Sequence, residues 1–361
     1  MLIFDTMKVE RKLMSKKKPT FPINDMLSDY LKKYKRNVKI PIFYDDLLRF
    51  QGSVTVYDNN DEDTLWIRTY YSEWDRIEID NSLKKIYMML LSDGSDATLP
   101  FLNVDAIDYC TFGNSKPFRI KVRNILNDNF TYFYVKKADA SRVYGLELEH
   151  ILSPHNINFL VHKDTLIEEH IVGIPGDDFI KNFLRKCTES EKSQIAKEFV
   201  KFKERCLVRL LGDMRSYNYV VTPTHDFFSI IYKIRAIDFD QQSFEGNLKV
   251  YNLQFMKENF KMVEMVSKKL ENSSIEQYKI EERSFMAKRM ITAPRRTEFL
   301  INCMKNDTIS YPKNVALLKN QLMKYVGDVK FKECTNMGEV LDTILSFVKR
   351  NYLDISNKEL F

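Results

Sequence analysis

Between Ala106 and Asp139 the chain sets three β-rich runs apart with two clusters of turn residues: AIDYCTF, then Gly113-Asn114-Ser115-Lys116-Pro117, then FRIKVRNI, then Asn127-Asp128-Asn129, then FTYFYVKKAD. β-branched and aromatic residues suit a pleated, half-buried surface, and clustered Gly, Asn, Asp and Pro reverse the chain sharply. Short reversals can join only antiparallel neighbours, so this stretch must be a meander, and it constrains the fold more than any other. Asp139 can N-cap a helix through ASRVYGLELEHIL, which stops before Ser153-Pro154 because the residue preceding a proline resists helical geometry. NINFLVH and TLIEEHIVG follow as a fourth and a fifth strand.

Beyond Pro175-Gly176 the period becomes helical. DDFIKNFLRKC reads as a helix, and Thr188 with Glu191 makes a capping box ahead of a stripe at Ile195, Phe199, Phe202, Cys206 and Leu210. NYVV and YKIRAIDFD are two short strands, and from about Asn252 the chain reads as helix, with NVALLKNQLMKYVG starting at Asn314 and stopping at Gly327. Upstream, FYDDLLRFQG is helix-like, TLWIRTYYSEW is aromatic-rich and LKKIYMMLLSDG is helical, an α+β pattern. The expected division is a basic tail over 1–20 with Lys16, Lys17 and Lys18, an N-terminal α+β extension over 21–103, a sheet region over 104–175 and a helical region over 176–361.

Composition excludes several classes. A net charge of +6 from 56 basic and 50 acidic residues is too mild for a nucleic-acid binder. The five cysteines are odd in number and scattered, without a CxxC, and His150, His155, His162, His170 and His225 have no paired metal spacing. No apolar run approaches the roughly 20 residues that span a bilayer, and the first residues lack the apolar core of a signal peptide. These features lead to the expectation of a soluble cytoplasmic protein with neither nucleic acid nor membrane as partner.

The junction LLGDMRSYNYVV carries Asp213, Arg215 and Asn218 between a helix and a strand, and the next strand ends about twenty residues later in Asp238-Phe239-Asp240. A DxxxxN spacing alone is ordinary turn chemistry. Joined to a five-stranded sheet with one inserted helix, a Gly-Ile-Pro-Gly hinge and a helical remainder, it resembles the protein-kinase-like superfamily. GDMRSYN is similar to the loop of aminoglycoside-phosphotransferase-like and other atypical kinases, written HGDxxxxN there, and Asp238-Phe239-Asp240 stands at the place of DFG. FYVKKAD is similar to the lysine-bearing third strand, and TLIEEHIVGIPGDDF to the strand-to-hinge stretch of small-molecule kinases. The resemblance covers about Ala106 to Gly246 and implies a bilobal α+β kinase-like fold, with an antiparallel five-stranded N-lobe and a mainly helical C-lobe.

The resemblance implies ATP and Mg2+ as cofactors and a hydroxyl-bearing small molecule or protein as acceptor. Asp213 would be the base, Arg215 would offset charge on the transferred group, and Asn218, Asp238 and Asp240 would serve the metal. Lys136 or Lys137 would bind phosphates and pair with Glu147 or Glu149 on the inserted helix. Strand alternation allows only one of the lysines to serve, and KKAD, similar to the KPAD-type strand ending of lipid-kinase-like relatives, favours Lys136 with Glu147. Ser115 and Lys116 would meet phosphate, and the main chain at Glu169, His170 and Ile171 the adenine. The phosphate loop has one glycine, Gly113; Leu211 stands for the histidine of HGD and Asp240 for the glycine of DFG. AMP transfer on the same fold, a non-catalytic nucleotide-binding (pseudokinase) interaction module and a purely structural helical protein are the alternatives. The basic stretch KRMITAPRRTEF, with Lys288, Arg289, Arg295 and Arg296, is either a solvated surface or an anion site.

Overall fold

Alternating apolar and polar residues, as in FRIKV, give a strand one face for a core and one for polar neighbours. The computed structural model describes residues 18–58, 61–91, 96–113, 115–225 and 230–352. Lys16, Lys17 and Asn114 lie outside the described residues. Two units are present: the first comprises the described residues of 1–22, 31–138 and 158–170, the second those of 23–30, 139–157 and 171–361.

In the first unit β1 (Gly52–Tyr57), β2 (Asp63–Tyr70), β3 (Leu102–Cys110), β4 (Phe118–Asn124), β5 (Phe130–Lys137), β6 (Phe159–His162) and β7 (Thr165–Glu169) form one sheet. Every pairing is antiparallel and the order is β1-β2-β3-β4-β5-β7-β6. The sheet therefore has seven strands, not five, because GSVTVY and DTLWIRTY add to its β3 edge. Their alternation is hard to read because β1 buries no residue fully, so neither of its faces has to be apolar.

Helix α1 (Asp25–Lys33) precedes the sheet, and α2 (Glu73–Leu91) supplies its core. Ile79, Leu83, Ile86 and Leu90, at helical spacing, join Ile107, Ile120, Val122, Phe133, Val135 and Ile167 in one buried cluster. A bulge at Asp105, where the register passes from Val104↔Val122 to Ala106↔Lys121, keeps Leu102, Val104 and Ile107 on the same apolar side. The opposite face is polar and aromatic. There the Asp108 carboxylate accepts from Arg68 Nε at 2.9 Å and Arg119 Nη2 at 2.8 Å, and the Arg119 guanidinium lies 4.5 Å from the Trp66 ring.

The second unit holds α3 (Ala140–Leu152), and Asp139 caps it as expected by accepting from Ser141 N. A small sheet in the order β10-β9-β8 is built from β8 (Ile174–Pro175), β9 (Tyr219–His225) and β10 (Ile230–Ala236). The predicted helix DDFIKNFLRKC is present as one unbroken helical run whose pitch changes along it, over Gly176–Asp178, Phe179–Phe183 and Leu184–Lys186. Helix α4 (Glu189–Val208) opens with both halves of the Thr188–Glu191 capping box formed, and its apolar stripe is buried. The remaining helices are α5 (Phe260–Lys269), α6 (Asn272–Thr292), α7 (Pro294–Lys305), α8 (Pro312–Val326) and α9 (Met337–Tyr352). Helix α8 starts two residues before Asn314, because Pro312 fits a first turn where its missing N–H costs nothing, and it stops at Gly327 with φ 78°. No helix of the described residues is long and apolar enough to cross a membrane.

Candidate functional site

The junction after α4 is a strained loop. Leu210 and Asp213 adopt left-handed backbone, φ 56° and 55°, as does Ser243 at 52°. Such conformations cost a non-glycine residue energy and persist only where their surroundings enforce them. The enforcement is visible here: Leu211 bridges Gln242 in antiparallel fashion, Gly212 N donates to Gln241 O at 3.2 Å and Ser243 N to Leu210 O at 2.8 Å. A Cβ at Gly212 would stand 3.0 Å from Val250 Cγ1 and 3.3 Å from Gln241 O, so the loop packs tightly here.

Within the loop, Arg215 Nε donates to Asp213 Oδ1 at 2.8 Å while Nη1 reaches Glu258 Oε1 at 2.9 Å. The Asn218 NH2 donates to Asp213 O at 2.8 Å. Burial, opposed by the neighbouring Arg215, raises the Asp213 pKa above the usual carboxylate value. Glu258 belongs to this group although no sequence signal marks it, since it lies 43 residues from Arg215 in the chain.

The second motif meets the first through β9 and β10. Tyr219 pairs with Ala236, and just beyond this pair Ile237 N donates to Asn218 O at 3.0 Å. Asp238 is the next residue. Asp213, Arg215, Asn218 and Asp238 are thus gathered at one end of a hairpin, and Asp240 follows with its N–H on Asp238 Oδ1 at 3.1 Å. An unforeseen residue joins them: Arg142, in the first turn of α3, donates from Nη2 to Asp238 Oδ1 and from Nε to Asp240 Oδ1, each at 2.6 Å. Gly145 lets α3 come this close, since a Cβ there would stand 3.0 Å from Phe239 Cβ.

The carboxylates of α3 have partners other than the expected lysine. Glu147 is fully buried and accepts from Arg296 Nη2 at 2.7 Å and from the Tyr30 hydroxyl at 2.6 Å. Glu149 is bound by the buried Arg209, whose Nε and Nη2 find no partner among the described residues. Arg289 donates to the carbonyls of His150 and Ile151 at the end of the helix. Two arginines of the KRMITAPRRTEF stretch therefore anchor α3, while Lys288 and Arg295 are exposed.

Lys136, in the first unit, lies on the polar face of β5, 7% exposed, with Nζ 2.6 Å from Glu168 Oε2. Lys137 points outward to Asp45, as alternation requires of one of the two. Within its own unit the partner of Lys136 is thus Glu168, the carboxylate that the neighbouring strand β7 offers. Lys116 has φ 36° and its carbonyl accepts from the Tyr44 hydroxyl at 2.8 Å, and Ser115 is half-buried. The N–H of Glu169 donates to Asn158 O at 3.1 Å, and Ile171 is buried.

Among the described residues no group of three or more His, Cys, Asp or Glu is disposed to hold a metal. Magnesium at a phosphate site needs fewer protein ligands because phosphate and water supply the rest. The Asn218 amide oxygen and the Asp238 carboxylate are hard donors of the kind it takes, so the residues fit such an ion. Comparison of the chain with protein-family models and with curated proteins finds no match.

Proposed function

We propose that this protein is an ATP- and Mg2+-dependent phosphotransferase with a bilobal kinase-like fold, acting on a hydroxyl of a small molecule or a protein. One observation carries the reading: the two motifs, on successive paired strands, meet through the bond from Ile237 N to Asn218 O, which sets Asp238 beside the loop of Asp213. The strand order β3-β4-β5-β7-β6, with a helix between β5 and β6 in the chain, supports it as the connectivity expected of the resemblance.

Phosphoryl transfer asks the protein mainly for position and countercharge. Asp213 would accept the hydrogen bond of the acceptor hydroxyl as that oxygen attacks the terminal phosphorus and ADP leaves. Its raised pKa makes it a better base than an exposed carboxylate, and a positioned general base is worth about 10²–10⁴ in rate. Arg215, clasped between Asp213 and Glu258, is oriented to offset charge near the base. Bound magnesium would neutralise phosphate charge, held by Asn218 and Asp238. The phosphate-binding role expected of Lys136 is separable, and Lys136→Met should weaken nucleotide affinity.

A second reading, a nucleotide-binding module without turnover, is favoured by Arg142, because a guanidinium already compensates Asp238 and Asp240. Melting with and without ATP and Mg2+ tests both, since a ligand bound only by the native state raises the midpoint. The expected result is a metal-dependent rise that Asp238→Ala removes, with loss of label from the terminal phosphate of ATP that Asp213→Ala abolishes. A rise without any turnover would select the module. No rise at saturating nucleotide would overturn both readings.

A further inference from the structure

Arg142 occupies a costly position. It lies in the first turn of α3, where the helix dipole disfavours a cation, and its side chain is 3% exposed. A buried guanidinium is stable only with partners, and its Nε and Nη2 donate to two different carboxylates. The neighbouring Ser141 hydroxyl donates to Gln242 O at 2.6 Å, so helix and IDFDQQ segment are joined at adjacent residues. The two carboxylates are unequal: Asp238 is 34% exposed and Asp240 16%. The pair is therefore reachable from solvent on the Asp238 side, while its cation is sealed behind it.

We propose that Arg142 is the resident counter-ion of Asp238 and Asp240, holding the pair when no divalent cation is present and competing with that cation for the same oxygens. The proposal rests on the reading of Asp238 as a metal ligand, and makes Arg142 a positioning residue. Arg142 already holds one oxygen of each carboxylate, the oxygens that a bound cation would need. Nucleotide phosphates add the missing ligands, so metal and nucleotide enter together. The device prevents the site from filling with metal alone.

The test uses the full chain without nucleotide, melted in EDTA and across a MgCl2 titration. Arg142→Gln removes the cation while keeping polar reach. Its midpoint is expected several degrees below wild type in EDTA and to climb with Mg2+, whereas wild type barely moves; the double variant Arg142→Gln/Asp240→Asn loses most of the climb. A merely structural arginine would give a deficit of the same size with and without Mg2+, and that result overturns the proposal. Should Arg142→Gln fail to fold, Arg142→Lys keeps the charge and loses the two-way grip. It is then expected to reach half-maximal stabilisation by ADP at several-fold lower Mg2+ than wild type, and an unchanged requirement overturns the proposal. The two ideas fail separately: a normal wild-type response to Mg2+ with ADP, beside a magnesium-blind Arg142→Gln, sinks this inference alone. A magnesium-responsive Arg142→Gln, in a protein whose wild type ignores Mg2+ with ADP, sinks the functional reading and spares this one.

Discussion

Helix α2 turns Ile79, Leu83, Ile86 and Leu90 towards the sheet of the first unit, whereas α3, in the second, buries Arg142, Glu147 and Glu149 and engages each with a charged partner. Apolar burial is non-directional, and any neighbour of suitable volume satisfies it. Buried charge needs one partner in one geometry, and without it the cost exceeds what the pair contributes. The first kind of contact makes a helix stick, and the second also sets where along its neighbours it stops. A helix whose first turn holds Asp238 and Asp240 has reason to be set by the second kind.

The largest expected effect breaks the charged side of this comparison. Arg209→Met leaves Glu149 buried without its guanidinium and should cost ~4 kcal/mol in urea unfolding. Replacing both, as Glu149→Leu/Arg209→Met, should restore more than half of that loss, because no charge then remains to be compensated. If the double variant were as unstable as the sum of the singles, the pair would not be the unit that holds α3. On the apolar side, Leu83→Ala should cost ~3 kcal/mol through lost transfer energy and a residual cavity. No substitution at a single distant partner should repair it, since its neighbours are many.

The same difference decides what was legible in the sequence. The meander, the Asp139 cap, the Thr188–Glu191 box and the Gly327 stop are local, and each was read from adjacent residues. Likewise, Asp213, Asn218 and Asp238 stand out because turn-and-strand spacing carries them, and the structure gathers them at one hairpin end. Arg142 was missed because its partners lie 96 and 98 residues on, and an arginine in a helix carries no mark of being buried. The Arg296 contact of Glu147 was missed for the same reason: it lies 149 residues away, in a stretch that reads as a solvated surface or an anion site. The strands β1 and β2 were missed for the opposite cause: β1 is an edge with no fully buried residue and β2 buries only Thr69, so neither shows a clear alternation.

The smallest effect at neutral pH is also the most selective. Tyr30→Phe removes the hydroxyl that donates to Glu147 Oε2 but leaves the Arg296 contacts at 2.7 and 2.9 Å, so it should cost only about 1 kcal/mol. Burial first, then the adjacent Glu147 carboxylate, raise the Tyr30 pKa well above its ordinary 10.0. The folded state therefore keeps a proton that the unfolded chain gives up above that value. Its contribution is whole below pH 10.0 and falls as pH rises beyond it, by ~1.4 kcal/mol for each pH unit. Tyr144 and Tyr219 are raised in the same direction, so the alkaline slope of the wild type is a sum, and Tyr30→Phe takes one share from it. The deficit of Tyr30→Phe should thus shrink above pH 10.0 and close near pH ~11, while that of Leu83→Ala stays level across the same range. A gap for Tyr30→Phe that stays constant from pH ~9 to ~11 would mean that its hydroxyl titrates no differently in the folded chain. It would also remove Tyr30 from the set of groups that hold α3 by charge.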